Sequence, residues 1–299
     1  AKSRLLEPLY ESKLPVTHSA VVVGGGISGM TAALDIAAQG FKVDIIERTG
    51  ALGGNAAKIH HEEDGKKIST FAKELADKVS ADKNITVHLN TEVQDVGGFV
   101  GNFKIQTSQG EIETGSVVVA VGAEEYKPTE YLYGQNSNVV TQLELEEKME
   151  SGNIPAKRIA MIQCVGSRNT DAPYCSRVCC ANAIKNAISL KKADPSKDIY
   201  VFHKDIRTYG FREDLYKEAS SLGVKFIRVP EDKPPMVSQD GSALTLTAFD
   251  TILGDDITIR PDMVVLSTGI RPHADNEELA KMLKVPLSKD KYFLEAHMK

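Results

Sequence analysis

The sequence has 299 residues, which is enough for two domains of ordinary size, and its 41% hydrophobic content allows each to bury a core. The formal net charge is −5 with acidic and basic residues interspersed, so no surface for nucleic acid or an anionic membrane is indicated. No apolar run approaches the length of a membrane span, and residues 1–17 lack the apolar core of a signal peptide. We therefore expect a cytoplasmic protein.

The first predicted unit is a strand, a turn, a helix and a second strand. Residues 1–17 are predicted to be a connecting segment, with a short helix at residues 5–13. An apolar strand follows at residues 19–23, a helix at 30–39 and a strand at 41–47. This order is the one in which a glycine-rich turn binds a dinucleotide.

The turn between this strand and helix carries the glycine spacing GxGxxG. Gly24 suits a tight turn, Gly26 allows close backbone approach to a pyrophosphate, and Gly29 allows the helix to pack on the strand. Ser28 lies in the same turn, and Glu47 ends the second strand 21 positions after Gly26, where it could accept hydrogen bonds from a ribose. The pattern predicts dinucleotide binding, with a plain βαβ turn as the alternative.

The segment after the acid favours FAD over NAD. Residues 49–55 resemble the "xxLGG" run of flavoproteins with two dinucleotide-binding domains, such as thioredoxin reductase and its relatives. Residues 117–121 resemble the strand that leaves the flavin domain in these proteins, with Val121 where threonine is usual. A glycine-rich turn without a ligand is the alternative. The further candidate FAD-binding residues are Arg48, Gly53, Gly54, Asn55, Val93, Ala120 and Gly122.

Hydrophobic periodicity predicts the remaining elements. Helices are predicted at residues 68–80, 140–151, 175–192, 211–222 and 276–283. Strands are predicted at residues 85–89, 91–96, 103–107, 111–114, 117–121, 158–163, 198–202, 224–229, 243–250, 256–259 and 263–267. Phe71, Leu75 and Val79 recur at helical spacing, which predicts one apolar face. The acids of the 140–151 helix, Glu146 among them, are predicted to form a solvated face.

All four cysteines of the chain lie in one short stretch. Cys164 is predicted at a strand end, and Cys175 and Cys179 are predicted to share one helix face, with Cys180 one step round. Four thiolates that converge could hold an iron–sulfur cluster or a zinc ion. Two disulfides and four unliganded core thiols are the other interpretations, although a chain with a core of its own needs no disulfides. From the spacing alone the cluster is favoured.

The second predicted βα turn departs from the first. Residues 164–168 contain a single glycine and a cysteine where a second phosphate-binding turn would stand. We therefore predict that no nicotinamide nucleotide binds at this turn.

The runs QCVGSRNTDAPYCSRVCC, GGGISGM and DIRTYGFRE together resemble the flavin core of the heterodisulfide reductase A-subunit family. The resemblance extends from the glycine turn to residues 293–297. It implies that the four cysteines ligate a 4Fe–4S cluster beside FAD, and that Lys185 lies near flavin N5, with Glu130 a weaker second candidate. An ordinary surface lysine is the alternative for Lys185.

The same resemblance implies electron transfer between flavin and cluster, with flavin-based bifurcation in the whole complex. Other components of such heterodisulfide reductase-like complexes and iron–sulfur carriers are the implied partners.

The same resemblance implies an α/β fold of two Rossmann-like domains of the thioredoxin-reductase type, the second inserted in the first. Residues 18–130 and 268–299 are the predicted FAD-binding domain, with an incomplete C-terminal part. Residues 131–267 are the predicted inserted domain, and residues 268–272 match the "TGxxP" return to the first.

Several features of the family are missing from the sequence. Ferredoxin-type cysteine sets and the C-terminal "DGIFxxG" segment are absent, and the chain opens without Met. We therefore expect a piece that is inactive alone, binds FAD weakly and lacks its cluster when prepared in air. Two other functions stay open: an NAD(P)H-dependent disulfide reductase with Cys179 or Cys180 as nucleophile, and a non-catalytic FAD-binding docking module.

Overall fold

The computed structural model describes residues 14–60, 67–152 and 154–294. They divide into two units. The first holds the chain up to Leu52, Leu75–Val121 and Glu278–Lys284, and the second holds Gly53–Glu74, Gly122–Glu277 and the chain from Val285. The predicted helix at residues 5–13 and the family resemblance at 295–297 lie outside the described residues. The predicted domain boundaries at residues 130 and 268 stay a prediction.

A parallel sheet and an antiparallel sheet build the first unit. Its strands are β1 (Ser19–Val23), β2 (Lys42–Ile46), β3 (Ile85–His88), β4 (Val93–Phe99), β5 (Asn102–Thr107), β6 (Gly110–Thr114) and β7 (Ser116–Val119). The parallel sheet has the order β3-β2-β1-β7, and the antiparallel sheet has the order β4-β5-β6. The strands predicted at residues 103–107 and 111–114 are confirmed, and they form the antiparallel β5–β6 pair.

Helix packing covers the parallel sheet of this unit. The helices that precede β3 are α1 (Ile27–Ala38) and α2 (Ile68–Ala81). The core consists of apolar residues of both helices and of β1 and β2, namely Val22, Met30, Ala33, Ala37, Val43, Ile45, Leu75 and Val79. The prediction that Phe71 shares this face is wrong, because Phe71 is half exposed and Ala72 is buried in its place. The buried stripe runs along i, i+3 and i+7 from Ala72, a narrower face than predicted.

In the described residues, ten further strands and four further helices follow. The strands are β8 (Glu124–Glu125), β9 (Val139–Thr141), β10 (Arg158–Val165), β11 (Asp198–His203), β12 (Lys225–Arg228), β13 (Met236–Asp240), β14 (Ala243–Asp250), β15 (Asp255–Ile259), β16 (Met263–Thr268) and β17 (Ile270–Arg271). The helices are α3 (Gln142–Ser151), α4 (Cys179–Ala193), α5 (Glu213–Ser221) and α6 (Asn276–Leu283).

A five-stranded parallel sheet is the centre of the second unit. Its order is β12-β11-β10-β16-β9, with an antiparallel sheet β13-β14-β15 and a β17–β8 pair beside it. Residues of β10 alternate between two cores: Ile159 and Met161 pack with α3, α4 and α5, whereas Ala160 and Ile162 pack with β14. Because both faces of the sheet are covered, this strand is apolar throughout, which made it easy to predict.

Four strands of this unit were not predicted. Two of them, β8 and β17, have two residues each and pair with each other. β9 lies where the sequence predicted the start of a helix, and the helix begins only at Gln142 because Thr141 is its N-cap and forms a capping box with Glu144. β13 lies at residues 236–240, in a segment whose charged and polar residues gave no strand pattern. It is an exposed edge strand, and such strands often carry polar residues.

Within residues 14–60, 67–152 and 154–294, no helix is both long enough and apolar enough to span a bilayer.

Candidate functional site

The glycine turn of the first unit has the geometry that the sequence predicted. Gly24 has φ +111°, and a Cβ there would lie 2.3 Å from the carbonyl oxygen of Ala120. A Cβ on Gly29 would lie 1.9 Å from the carbonyl oxygen of Gly24, so the helix can approach the strand only without a side chain. A Cβ on Gly26 would meet no atom within 4 Å. The turn is therefore closed on the protein side and open at Gly26.

The open side of the turn faces unsatisfied backbone donors. Gly26 is the N-cap of α1, no side chain caps the helix, and its first turn holds no acidic residue. The first N–H groups of a helix have no partner within the helix and carry a partial positive charge. An uncapped N-terminus beside open space suits a pyrophosphate, so this turn fits a dinucleotide.

Glu47 is buried and fixes the shape of the turn. Its Oε2 accepts a hydrogen bond from the backbone N–H of Gly25 at 2.7 Å. Its Oε1 accepts from the backbone N–H and the hydroxyl of Thr49, both at 2.8 Å. Two carboxylate oxygens offer about four acceptor positions, so these three bonds leave capacity for a ribose hydroxyl.

The other candidate cofactor residues lie in both units. Ser28 lies in α1, Arg48 follows β2, Val93 begins β4 and the Ala120 N–H donates to the carbonyl oxygen of Val23 at 2.8 Å, all in the first unit. Gly53, Gly54, Asn55 and Gly122 belong to the second unit. There the Asn55 side-chain amide donates to the carbonyl oxygen of Ala123 at 2.7 Å.

The four cysteines come from three neighbouring parts of the second unit. Cys164 lies near the end of β10, as predicted, and interrupts the pairing of β10 with β16. Cys175 lies in the segment between β10 and α4, and Cys179 and Cys180 are the first two residues of α4. All four are free thiols, and the last two are buried.

The prediction that Cys175 and Cys179 share a helix face is wrong, because α4 begins only at Cys179. Arg177 has φ +62°, a left-handed conformation that a right-handed helix cannot contain. The segment contacts β17 instead, since the Ser176 hydroxyl accepts a hydrogen bond from the backbone N–H of Ile270 at 3.0 Å. Cys175 therefore reaches the other cysteines from a loop.

The cysteine thiols lie within electrostatic range of one another. Burial raises the pKa of Cys179 to about 12, and the charges of the three other cysteines raise it as well. Burial also raises the pKa of Cys180, to about 11, although a hydrogen bond from the backbone N–H of Arg207 partly offsets this rise. The pKa of Cys164 is raised by burial and lowered by the charges of Arg168 and Lys204.

The donor set suits a thiolate-bound metal centre, but the ligands are not preorganised. Four thiols are soft donors of the kind that iron–sulfur clusters and zinc take. Over the described parts of the chain, no three His, Cys, Asp or Glu side chains stand together in an arrangement that holds a metal ion. The residues therefore fit such a centre by chemistry and proximity, and binding would have to draw the thiols together.

Lys185 lies in a buried ion pair. Its ammonium donates to Glu146 Oε1 at 2.7 Å, and the two side chains are 8% and 0% exposed. Glu146 Oε2 accepts from the backbone N–H of His60 at 2.7 Å. The surface-lysine interpretation is therefore wrong.

The prediction that Glu146 belongs to a solvated face is wrong as well. Gln142, Leu145, Glu146 and Met149 follow the i, i+3, i+4, i+7 spacing of the inward face of α3. That spacing could have identified Glu146 as a buried acid.

Glu130, the other candidate catalytic residue, forms hydrogen bonds with Thr129 and Tyr126. Its Oε2 accepts from the Thr129 backbone N–H at 2.8 Å and from the Tyr126 hydroxyl at 3.2 Å. Burial is the main reason that the pKa of Tyr126 is raised, and the charge of Glu130 adds to it. Glu130 is thus held within its own loop.

A cavity of about 260 Å³ lies at the carboxyl ends of β11 and β12. Its lining includes three cationic side chains, Arg168, Lys204 and Arg228. Two carboxylates share it: Asp205 pairs with Arg168, and Glu231 lies 3.2 Å from Lys204. The charges are therefore largely balanced within the lining.

Solved structures match the fold over nearly the whole chain. The thioredoxin reductase of T. acidophilum is 17% identical with a TM-score of 0.66, covering 93% of this chain and 84% of that one. The thioredoxin reductase of Lactococcus lactis is 19% identical with a TM-score of 0.66, covering 94% of this chain and 86% of that one. The predicted fold class, two Rossmann-like domains of the thioredoxin-reductase type, is confirmed.

The curated relatives that match this chain are named as A-subunits of heterodisulfide reductases. The iron–sulfur A-subunit of CoB–CoM heterodisulfide reductase from Methanocaldococcus jannaschii is 29% identical, covering 100% of this chain and 60% of the relative. The A-subunit of the H₂:CoB–CoM heterodisulfide,ferredoxin reductase from Methanothermobacter thermautotrophicus is 30% identical with the same coverage. The predicted resemblance to the heterodisulfide reductase A-subunit family is confirmed, and the chain spans 60% of the length of these relatives.

A family model agrees with the fold and with the relatives. The model described as pyridine nucleotide-disulphide oxidoreductase matches residues 18–167, half of the chain. The match begins just before β1, includes the dinucleotide turn and ends three residues after the first cysteine. The chain therefore belongs to the pyridine nucleotide-disulphide oxidoreductase family.

Proposed function

We propose that this chain is an electron-transfer flavoprotein domain that binds FAD and a 4Fe–4S cluster, as part of a heterodisulfide-reductase-like complex. The observation that carries the proposal is the placement of the four cysteines at the end of β10, in the loop after it and at the start of α4, in a fold of the thioredoxin-reductase type. The names of the curated relatives support the same assignment, since one is called an iron–sulfur protein and the other belongs to a ferredoxin reductase.

The dinucleotide turn would bind FAD. Bound flavin exchanges two electrons with one partner and single electrons with another, which is the chemistry that a domain of this kind requires. The residues of the chain position the cofactor. The α1 N-terminus binds the pyrophosphate, Glu47 orients the ribose, and Gly26 leaves space for the close approach of the backbone. The Lys185–Glu146 pair supplies a fixed, water-excluded ammonium, which we propose stabilises negative charge on the flavin.

Cys164, Cys175, Cys179 and Cys180 would ligate the cluster. The raised pKa values of Cys164, Cys179 and Cys180 mean that these thiols are protonated at neutral pH, so metal binding must displace their protons. Burial of Cys179 and Cys180 keeps water from the sulfur atoms. The relatives' partner proteins are the proposed neighbours in a complex, and bifurcation would be a property of that complex.

The dithiol reductase is less well supported by the structure. A nucleophilic cysteine needs a lowered pKa, whereas Cys179 and Cys180 have pKa values raised to about 12 and about 11. The thiols that this alternative requires would therefore react slowly at neutral pH.

Absorbance spectroscopy of anaerobically prepared protein tests the proposal. We expect flavin bands together with a broad iron–sulfur absorption, near one FAD, four irons and four sulfides per chain. Cys180→Ser should lose the iron and sulfide and keep the flavin, and Gly26→Val should do the reverse. Flavin without iron, in protein whose four thiols all titrate, would contradict the cluster and favour the dithiol reductase.

A further inference from the structure

The loop that carries Cys175 is attached to one residue of β17. The Ser176 hydroxyl accepts a hydrogen bond from the backbone N–H of Ile270 at 3.0 Å, and the Tyr174 hydroxyl donates to the carbonyl oxygen of the same residue at 3.1 Å. The two chain neighbours of Cys175 therefore bind both backbone polar groups of Ile270. Because Ser176 is buried and Tyr174 is partly buried, water competes only weakly for these bonds.

The same loop sets the direction of the Cys175 side chain. Its sulfur accepts a hydrogen bond from the backbone N–H of Arg177 at 3.4 Å. Arg177 is the left-handed residue, with φ +62°, that separates this loop from α4. Hydrogen bonds to sulfur are among the contacts by which proteins tune thiolate-bound clusters. The backbone of the loop thus orients the sulfur of Cys175.

The residue before Ile270 holds the strand end that carries Cys164. The register between β10 and β16 shifts at this point, where three steps along β10 match two along β16. Cys164 lies in the irregularity with φ +62°, and an extra residue of this kind redirects a side chain. Directly beyond it, the backbone N–H of Gly269 donates to the carbonyl oxygen of Val165 at 2.8 Å. Gly269 therefore fixes the chain next to Cys164.

Gly269 also packs against a serine from each end of the loop. A Cβ there would lie 2.9 Å from Ser167 Cβ and 2.9 Å from Ser176 Oγ. Ser167 follows Cys164 by three residues, and Ser176 follows Cys175 directly. A side chain at position 269 would push these two parts of the loop away from β17.

The stretch 268–270 is thus in contact with three parts of the cysteine set. The Cys179 thiol donates to the Thr268 carbonyl oxygen at 3.3 Å, so the start of α4 lies against the residue before Gly269. Residues 268–270 end β16 and begin β17, and Ile270 lies 94 positions along the chain from Ser176. A strand end outside the loop holds a site more precisely than the loop does by itself.

We propose that residues 268–270 position Cys164 and Cys175 as metal ligands, and that Tyr174 and Ser176 are the side chains through which they hold Cys175. This inference rests on the proposed function, because it assigns the support of the same four-cysteine centre. Tyr174 and Ser176 act through a neighbouring thiol and are positioning residues. Holding two of the four ligands in place reduces the number of thiols that must move when metal binds.

Single hydroxyl deletions test the inference. Tyr174→Phe and Ser176→Ala each remove one bond to Ile270 and leave the rest of the side chain in place. Tyr292→Phe is the matched control, because the Tyr292 hydroxyl donates to the same Ile270 carbonyl oxygen at 3.1 Å from a segment without cysteines. In Tyr174→Phe this carbonyl oxygen keeps the bond from Tyr292, so we expect the variant to fold. Circular dichroism establishes that each variant is folded.

The first measurement needs no metal. Iodoacetamide alkylates the metal-free chain, and peptide mass spectrometry follows the rate at each cysteine. We expect about fivefold faster alkylation of Cys175 in Tyr174→Phe and in Ser176→Ala, the factor that corresponds to one hydrogen bond of average strength. The wild-type rate in Tyr292→Phe would agree with the inference. A Cys175 rate that is unchanged in both loop variants would overturn it, as would an equal rise in Tyr292→Phe.

The second measurement is a Co²⁺ titration of the metal-free chain, followed by its thiolate charge-transfer absorption. We expect about tenfold weaker binding in Tyr174→Phe and Ser176→Ala, the low end of the effect of residues that orient metal ligands. The absorption per bound Co²⁺ should also fall, because one thiolate leaves the ligand set, while Tyr292→Phe keeps the wild-type affinity and spectrum. Unchanged affinity and spectrum in the loop variants would overturn the positioning role and leave the proposed function intact.

Iron and sulfide analysis after anaerobic reconstitution separates the two proposals. A wild-type chain that binds Co²⁺ through its thiols but assembles no iron–sulfur cluster would overturn the proposed function, while the alkylation rates and the Co²⁺ titration still decide the role of residues 268–270. A wild-type chain that does not bind Co²⁺ at all would overturn the positioning of metal ligands as well.

Discussion

Lys185 forms a buried ion pair with Glu146, which distinguishes it from an ordinary solvent-exposed lysine. Lys185 and Glu146 are almost without solvent contact, and Glu146 also accepts the His60 N–H. Removing charges from water costs several kcal/mol per ion, and such pairs add little net stability over apolar residues of the same size. A pair kept at this cost is better explained by the ammonium it holds in place than by stability.

Breaking the pair on one side should be severe. Lys185→Met leaves the Glu146 carboxylate buried without the lysine ammonium, so we expect the free energy of unfolding to fall by about 3–5 kcal/mol. Urea unfolding followed by circular dichroism measures the loss.

The double variant Lys185→Met/Glu146→Gln is the control for this prediction. It removes both charges and should recover most of the stability, while flavin content and reduction stay impaired if the ammonium has the proposed role. A single variant as stable as the wild type would show that the pair is not buried in solution.

At the scale of elements, the segment from the end of β10 to the start of α4 is strained in the way that functional loops often are. Cys164, Arg168 and Arg177 all have positive φ although none is glycine. Gly166, with φ +70°, packs directly under the Tyr126 ring. The segment is therefore held in one conformation by its contacts and not by local preference.

Gly166→Ala tests that packing. A Cβ there would lie 2.0 Å from Tyr126 Cδ1, so the ring or the backbone must move. Gly254→Ala is a matched control, because Gly254 has φ +72° and open space around its Cβ position. Both variants share the strain of a left-handed alanine, about 1 kcal/mol, and only Gly166→Ala adds overpacking of about 1–3 kcal/mol.

We expect a lower free energy of unfolding for Gly166→Ala than for Gly254→Ala in urea titrations, with iron loading lost only in the former. Equal stabilities would show that the Tyr126 ring does not constrain the cysteine segment.

At the scale of the whole molecule, the two Rossmann units differ in the βα connections that follow β1 and β10. In the first unit three residues separate β1 from α1, and the turn is glycine-rich. In the second, thirteen residues (166–178) separate β10 from α4, and the helix begins with two cysteines. A phosphate cradle needs a tight turn directly before a helix N-terminus, which only the first unit provides.

NADH should therefore fail to reduce the flavin of this chain directly. We expect no rapid, stoichiometric bleaching of the flavin absorption when NADH is added anaerobically, and full bleaching with dithionite in the same cuvette. Rapid stoichiometric reduction by NADH would contradict the assignment of the second unit to cysteine ligands.

The sequence by itself determined most of the strands and helices, the dinucleotide turn and the set of four cysteines. These signals are local: a strand, a glycine spacing or a run of cysteines can be identified within some twenty residues. The start of α4 was mispredicted because the left-handed Arg177 is fixed by its surroundings and not by its residue type.

Only the tertiary structure decided which polar groups surround the candidate centres. Glu146 reaches Lys185 across 39 positions of the chain, and Asp205 reaches Arg168 across 37. Pairings over such separations depend on how parallel strands and their helices stack, and the order of the strands in a sheet is not encoded in any short segment. The physical reason is that burial, which made an exposed-looking acid the partner of a lysine, is a property of the packed fold.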